Sequence, residues 1–122
     1  MARILVIEDE PAIRAITRRM LVDGGYQVVE AGSAHTGCEA LRDVAVDLVL
    51  TDVCLAGEDG ITTMAQIRRA RPELPLIAVS GGARDEISER LEDAGLRAAV
   101  RSLAKPYTCD SLLALVQEAL AG

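Results

Sequence analysis

Apolar and polar positions along the chain alternate between two periods. Ile4 to Ile7 is a short continuous apolar run, the pattern of a strand buried on both faces. Ile13, Ile16, Thr17, Met20 and Leu21 then recur at helical spacing, with Pro11 suited to the first turn and Gly24-Gly25 to the end. Tyr26 to Ala31 reads as a second strand, and Ser33 as the N-cap of a helix through about Val44. Asp47 to Asp52 predicts a third strand that ends in a carboxylate. Ile61, Met64, Ala65 and Ile67 mark a helix that stops before Pro72. Leu76 to Val79 gives a fourth strand, opened by Pro75 and closed by Ser80-Gly81-Gly82. A more charged helix over about Arg84 to Ala94 has a thin apolar stripe of Ile87, Leu91 and Ala94. A fifth strand falls within Ala98 to Leu103, and Thr108 caps a last helix. The buried stripe of that helix is Leu112, Leu113, Val116, Ala119 and Leu120, with Leu115 off it. Five strands alternating with five helices predict an α/β fold, a mostly parallel sheet covered on both faces. The 122 residues contain no linker, repeat or low-complexity segment and are expected to form one domain.

Composition narrows the picture. Half the residues are hydrophobic, yet Phe and Trp are absent and Tyr26 and Tyr107 are the only aromatics, so the core must be aliphatic. The formal net charge of -6 argues against general affinity for nucleic acid or an anionic membrane, which needs clustered Lys and Arg. Cys38, Cys54 and Cys109 are odd in number, widely spaced and without a C-x-x-C, which disfavours a disulfide framework or zinc site. The N-terminus reaches Glu8-Asp9 too soon for a signal peptide, and no apolar run approaches the ~18 residues of a membrane span. A cytoplasmic protein without membrane insertion is expected.

Candidate chemistry collects at the strand ends. In such a sheet the ligand site lies at the carboxyl ends of the strands. Those ends carry Glu8-Asp9, Asp52, Ser80 and Lys105-Pro106. Singly, each is ordinary loop polarity or punctuation; their coincidence at one edge carries the weight. Three carboxylates close together repel unless a cation sits between them, and oxygen-only ligands favour a hard ion such as Mg²⁺. A central carboxylate can then act as nucleophile toward a phosphodonor and form an acyl phosphate. Lys105 would offer a point charge to the phosphoryl oxygens and Ser80 a short hydroxyl donor.

With these residues in place, the chain resembles the receiver domain of bacterial two-component response regulators, including the single-domain chemotaxis and phosphorelay type. The motifs are the acidic pair Glu8-Asp9, Asp52 with Gly60 eight residues on, Ser80, and Lys105-Pro106, and the match covers essentially the whole chain. The resemblance implies a flavodoxin-like (βα)5 fold with sheet order 2-1-3-4-5 and, over residues 1–122, no output domain. It implies that Asp52 is the phosphoacceptor. Asp9, Asp52 and the backbone carbonyl of Cys54 would bind Mg²⁺ (or Mn²⁺), with Glu8 acting largely through water. Lys105 would pair with the phosphoryl group or Asp52. Ser80 would move to the phosphoryl oxygen and so alter the surface of helix four, strand five and helix five. The implied donor is a histidine kinase or a histidine phosphotransfer protein, and the implied target a separate downstream protein. A monomer or weak phosphorylation-dependent dimer, with slow self-dephosphorylation, completes the expectation.

Some positions depart from that pattern. Glu8 replaces the commoner Asp, and Ala56 stands where Pro is usual. Ser102 occupies the place of an aromatic three residues before the Lys, and no substitute aromatic is expected nearby. The segment from Gly95 to Lys105 is about three residues longer than usual. Cys54 and Gly82, both small, would leave the acyl phosphate open to water. The lone His35 reads as an exposed helical residue, and Leu115 as a contributor to an apolar docking face. A haloacid-dehalogenase-type phosphatase would need its nucleophile after strand one and a second Asp two residues later, but Glu10-Pro11 follows Asp9. A flavin-mononucleotide carrier would need a Ser/Thr/Gly-rich loop where three acidic residues stand. A receiver-like adaptor, or a phosphate sink or shuttle with little switching, stays open.

Overall fold

The computed structural model describes residues 1–55, 58–81, 84–96 and 100–122, the side chains of 54, 55, 58, 59 and 84–88 excepted. Ala56, Gly82 and Ala98, and the side chains of Cys54 and Ile87, lie outside the described residues. The elements run β1 (Arg3–Ile7), α1 (Pro11–Asp23), β2 (Gln27–Ala31), α2 (Ala34–Asp43), β3 (Leu48–Asp52), β4 (Cys54–Leu55) and β5 (Glu58–Asp59). They continue with α3 (Gly60–Ala70), β6 (Leu76–Ser80), α4 (Arg84–Asp93), β7 (Val100–Ala104) and α5 (Cys109–Ala121).

The five main strands form one parallel sheet in the order β2-β1-β3-β6-β7, the order 2-1-3-4-5 that the resemblance implies. Strands read as continuous apolar runs because both faces are covered. On one face Leu5, Ile7, Val49, Leu76 and Ala78 meet α2, α3 and α4 through Ala34, Met64 and Leu91. On the other, Ile4, Val6, Leu50, Ile77 and Val79 meet α1 and α5 through Leu21, Leu112 and Val116. Each fully buried aliphatic side chain is worth about 1.5–3 kcal/mol of transfer free energy, so two such layers supply most of the folding drive.

Helix ends follow local chemistry. Ser33 accepts a hydrogen bond from the Thr36 amide at α2, and Thr108 and Ser111 cap α5 reciprocally. Pro11 opens α1, and Gly25, at φ 95°, supplies the left-handed residue that turns the chain after it. One expectation on α1 needs correction: Ile16 is 56% exposed, and the buried residues are Thr17 and Leu21. At about 100° per residue Ile16 stands a quarter-turn or more from both, off the face that meets the sheet. Ala94, expected on the α4 stripe, is exposed beyond the helix end, while Leu91 is buried. The antiparallel pair β4–β5 occupies the stretch that the sequence marks only as a turn.

Gly60 opens α3 against the end of β3. A Cβ at this position would come within 2.4 Å of the Asp52 carbonyl oxygen and 2.5 Å of the Val53 Cα. Backbone cannot rotate away as a side chain can, so Gly60→Ala is expected to destabilise the fold by about 1–3 kcal/mol. Gly81→Ala, where a Cβ meets nothing within 4 Å, should cost far less. Urea unfolding of the two variants checks the contrast; equal midpoints would refute the steric account.

Candidate functional site

Parallel strands deliver their last residues to one edge, and the sheet order decides which meet. Glu8 follows β1, its amide donating to the Ala31 carbonyl at 3.0 Å. Asp52 closes β3 between β1 and β6, Ser80 closes β6, and Lys105 follows β7. The Lys105 amide donates to the Ser80 carbonyl at 2.8 Å, which fixes the start of that loop against β6.

Four of the predicted residues converge. One oxygen each from Glu8, Asp9 and Asp52 lies within 4.8 Å of the others. Glu8 and Asp52 are each only 5% exposed, whereas Asp9 is half-buried. Lys105 Nζ donates to Glu8 Oε1 at 2.8 Å and to Asp52 Oδ2 at 2.6 Å. They open onto a cavity of about 570 Å³ whose described lining includes Glu8, Asp9, Asp52, Gly81 and Lys105. Ser80, buried at the end of β6, is not among the described lining residues. The Cys54 backbone opens β4 two residues past Asp52. His35 is 80% exposed, paired with Glu39 on α2 and away from the cluster, as expected.

Electrostatics follow from that placement. Burial raises the Glu8 carboxyl above its ordinary value of 4.5; the Lys105 hydrogen bond opposes this, and the Asp52 charge adds to it. Burial alone would lower the Lys105 ammonium, but its bonds to Asp52 and Glu8 outweigh that and hold it above the ordinary 10.5. The lysine is therefore a permanent cation. One ammonium against three carboxylates leaves the mouth acidic, and clustered oxygen donors of this kind fit Mg²⁺.

Two supporting residues escaped the sequence reading. Arg14 Nη1 donates to the Glu8 carbonyl at 2.9 Å while its Nε meets Glu30 at 3.5 Å, pinning the loop that carries the acidic pair. No local signal marks this, because Glu30 reaches Arg14 only through the fold. Tyr107 corrects the expectation that no aromatic lies near the site. Its hydroxyl is hydrogen-bonded to Thr17 of α1, and it lines a small void together with Glu8 and Asp52. Burial raises its phenol above the usual 10, with the Thr17 bond opposing. It packs with Leu103 on the α1/α5 face, whereas Ser102 alternates to the other face with Val100. The spacing of two residues from Lys105 was the available clue.

Residues 4–117 match the family model described as the response regulator receiver domain. The chain is 38% identical over 122 residues to the response regulator MprA of Mycobacterium tuberculosis (strain CDC 1551 / Oshkosh), covering 97% of this chain and 50% of that protein. It is 34% identical over 121 residues to the sensor kinase CckA of Brucella abortus (strain 2308), covering 98% of this chain and 12% of that one. The chain thus spans half or less of the length of these curated relatives. Among solved structures, a CheY-like receiver domain protein from Methanospirillum hungatei JF-1 superposes with a TM-score of 0.89 at 29% identity, covering 99% of this chain and 94% of that one. The chemotaxis protein CheY4 of Vibrio cholerae gives 0.90 at 23% identity, covering 98% and 99%, a likeness of fold alone.

The raised Glu8 carboxyl sets a pH dependence. The folded chain holds that proton more readily than the unfolded chain, so this contribution to stability falls as pH rises above 4.5. The Lys105 contribution is fully present below 10.5 and adds no slope there. In chelator, stability should therefore decline relative to Glu8→Gln as pH rises from about 4.5. Mg²⁺ favours the ionised form and should add about 1.4 kcal/mol at ten times its dissociation constant. Thermal melts with chelator or MgCl₂ measure both effects; a melting point indifferent to Mg²⁺ would refute the metal site.

Proposed function

The chain belongs to the response regulator receiver domain family of two-component signalling, and on that premise we propose that it accepts a phosphoryl group on Asp52 from a phosphohistidine donor. The observation that carries the reading is the Lys105 ammonium bonded to both Asp52 and Glu8, with Asp9 alongside, at the open edge of the sheet.

The Asp52 oxygen remote from Lys105 attacks phosphorus. The P–O bond forms as the P–N bond to the donor imidazole breaks, and the imidazole nitrogen keeps the electron pair. Lys105, already against Asp52 Oδ2, supplies positive charge to the phosphoryl oxygens as the acyl phosphate forms. Glu8, Asp9, Asp52 and the Cys54 carbonyl would hold Mg²⁺ (or Mn²⁺), which when bound reduces repulsion between carboxylate and anionic donor. Ser80 turns its hydroxyl to a phosphoryl oxygen and shifts the following loop, altering the α4, β7 and α5 surface toward a downstream protein. Water then slowly hydrolyses the acyl phosphate.

Ser102 favours a second reading, a phosphate shuttle or sink with little output. It lies half-buried on β7 in register with Ala78, with no ring at that position to follow Ser80.

With Mg²⁺ and a small phosphodonor, wild type should take up acid-stable, base-labile phosphate and Asp52→Asn none. Lys105→Ala should slow labelling by about 10²-fold, the loss of one charge aimed at the phosphoryl oxygens. Label that survives Asp52→Asn refutes the assigned residue, and absence of label on wild type favours a phosphorylation-independent adaptor. Continuous phosphate release at enzymatic turnover would point to a phosphatase.

A further inference from the structure

Thr17 is a polar residue in the middle of α1 with only 1% of its surface exposed. A buried hydroxyl needs a partner, and this one is bonded to the hydroxyl of Tyr107, at the far end of the sheet order. Tyr107 is half-buried against the α1/α5 core and stands two residues past Lys105. With Thr17, Glu8 and Asp52 it lines a void of about 10 Å³, so the pair sits against the carboxylates and not elsewhere in the core.

The loop from Lys105 to Thr108 is held at three points. The Lys105 amide is bonded to Ser80, Thr108 caps α5, and the Tyr107 hydroxyl reaches α1. The first two fix the ends of the loop along the sheet. The third joins it sideways to α1, the helix that follows Glu8-Asp9 and whose Arg14 holds the Glu8 carbonyl. Carboxylates and ammonium are thus referred to one helix, from two directions.

From this we infer that the Tyr107–Thr17 hydroxyl pair positions Lys105. It sets the distance between the ammonium and the Asp52 carboxylate, so that the charge is in place when a phosphoryl group arrives. Both act through the placement of Lys105 and are positioning residues. The inference rests on the phosphoacceptor reading of Asp52.

The test compares wild type, Tyr107→Phe, Thr17→Val, Thr17→Ser and the Phe/Val double variant. Initial labelling rates are measured at saturating small phosphodonor and Mg²⁺, at a temperature where circular dichroism shows every variant folded. Tyr107→Phe and Thr17→Val should each slow labelling about 5- to 10-fold, the effect of one lost hydrogen bond on a charge that must be held in place. The double variant should be no slower than either single one, because both remove the same contact. Thr17→Ser, which keeps the hydroxyl, should stay within about twofold of wild type. Mg²⁺ affinity should be unchanged in all, since Glu8, Asp9, Asp52 and the Cys54 carbonyl lie on the segments that follow β1 and close β3, outside the Lys105–Thr108 loop. Wild-type rates in Tyr107→Phe, losses that multiply in the double variant, or Thr17→Ser as slow as Thr17→Val would each overturn the inference. If Thr17→Val does not fold, Tyr107→Phe against Thr17→Ser decides it. Wild type that takes no label overturns the phosphoacceptor reading itself, and the positioning role with it.

Discussion

Like charges brought to one edge of a sheet repel, and that repulsion is the constraint around which the acidic end of this molecule is arranged. Two carboxylates at the separations seen among Glu8, Asp9 and Asp52 oppose each other by about 3 kcal/mol at an effective dielectric near 20, before water screening. Lys105 offsets this by touching Glu8 and Asp52 at once. The sheet order makes that contact possible. β3 lies between β1 and β6, and β7 beside β6, so the last residues of β1, β3 and β7 fall within reach of one side chain. Balance is incomplete by one or more negative charges, and that residual charge is what a site for a hard cation requires.

Much of this is legible in the sequence. The runs at Ile4 to Ile7 and Leu76 to Val79 read as doubly covered strands, and the structure buries every residue of both. Ser33 and Thr108 announced their helices through cap chemistry, which depends only on neighbours within one turn. The family motifs placed Glu8, Asp9, Asp52 and Lys105 at one edge, and the geometry brings them together. Gly60 was legible as a motif but not as a cause; the cause is the Asp52 carbonyl packed where a Cβ would stand.

What escaped depended on partners distant in sequence or on angles finer than a hydrophobic pattern resolves. Ile16 sits at helical spacing from Ile13 and Met20, yet its azimuth carries it to solvent. Arg14 and Tyr107 look like ordinary residues on a helix and in a loop. Their work is defined by Glu30, the Glu8 carbonyl and Thr17, none of which a local window can supply. The β4–β5 pair closes a stretch too short to show any period.

The two faces of the sheet differ in mechanical character. Under α1 and α5 the layer is filled by Leu50, Ile77, Leu112 and the Tyr107 ring, and the hydroxyl tie crosses it. On the opposite face, neighbouring strands present Ala78 and Ser102 side by side, two of the smallest side chains available. Large interdigitated side chains resist sliding, whereas a helix over short ones can settle or slip with little dispersion energy forfeited. Where Ala78 and Ser102 lie side by side on β6 and β7, the packing is therefore expected to yield more readily on the α4 side than on the α1 side. A disturbance at Asp52, on the strand between them, would be absorbed asymmetrically, like a load on a beam clamped at one side and cushioned at the other.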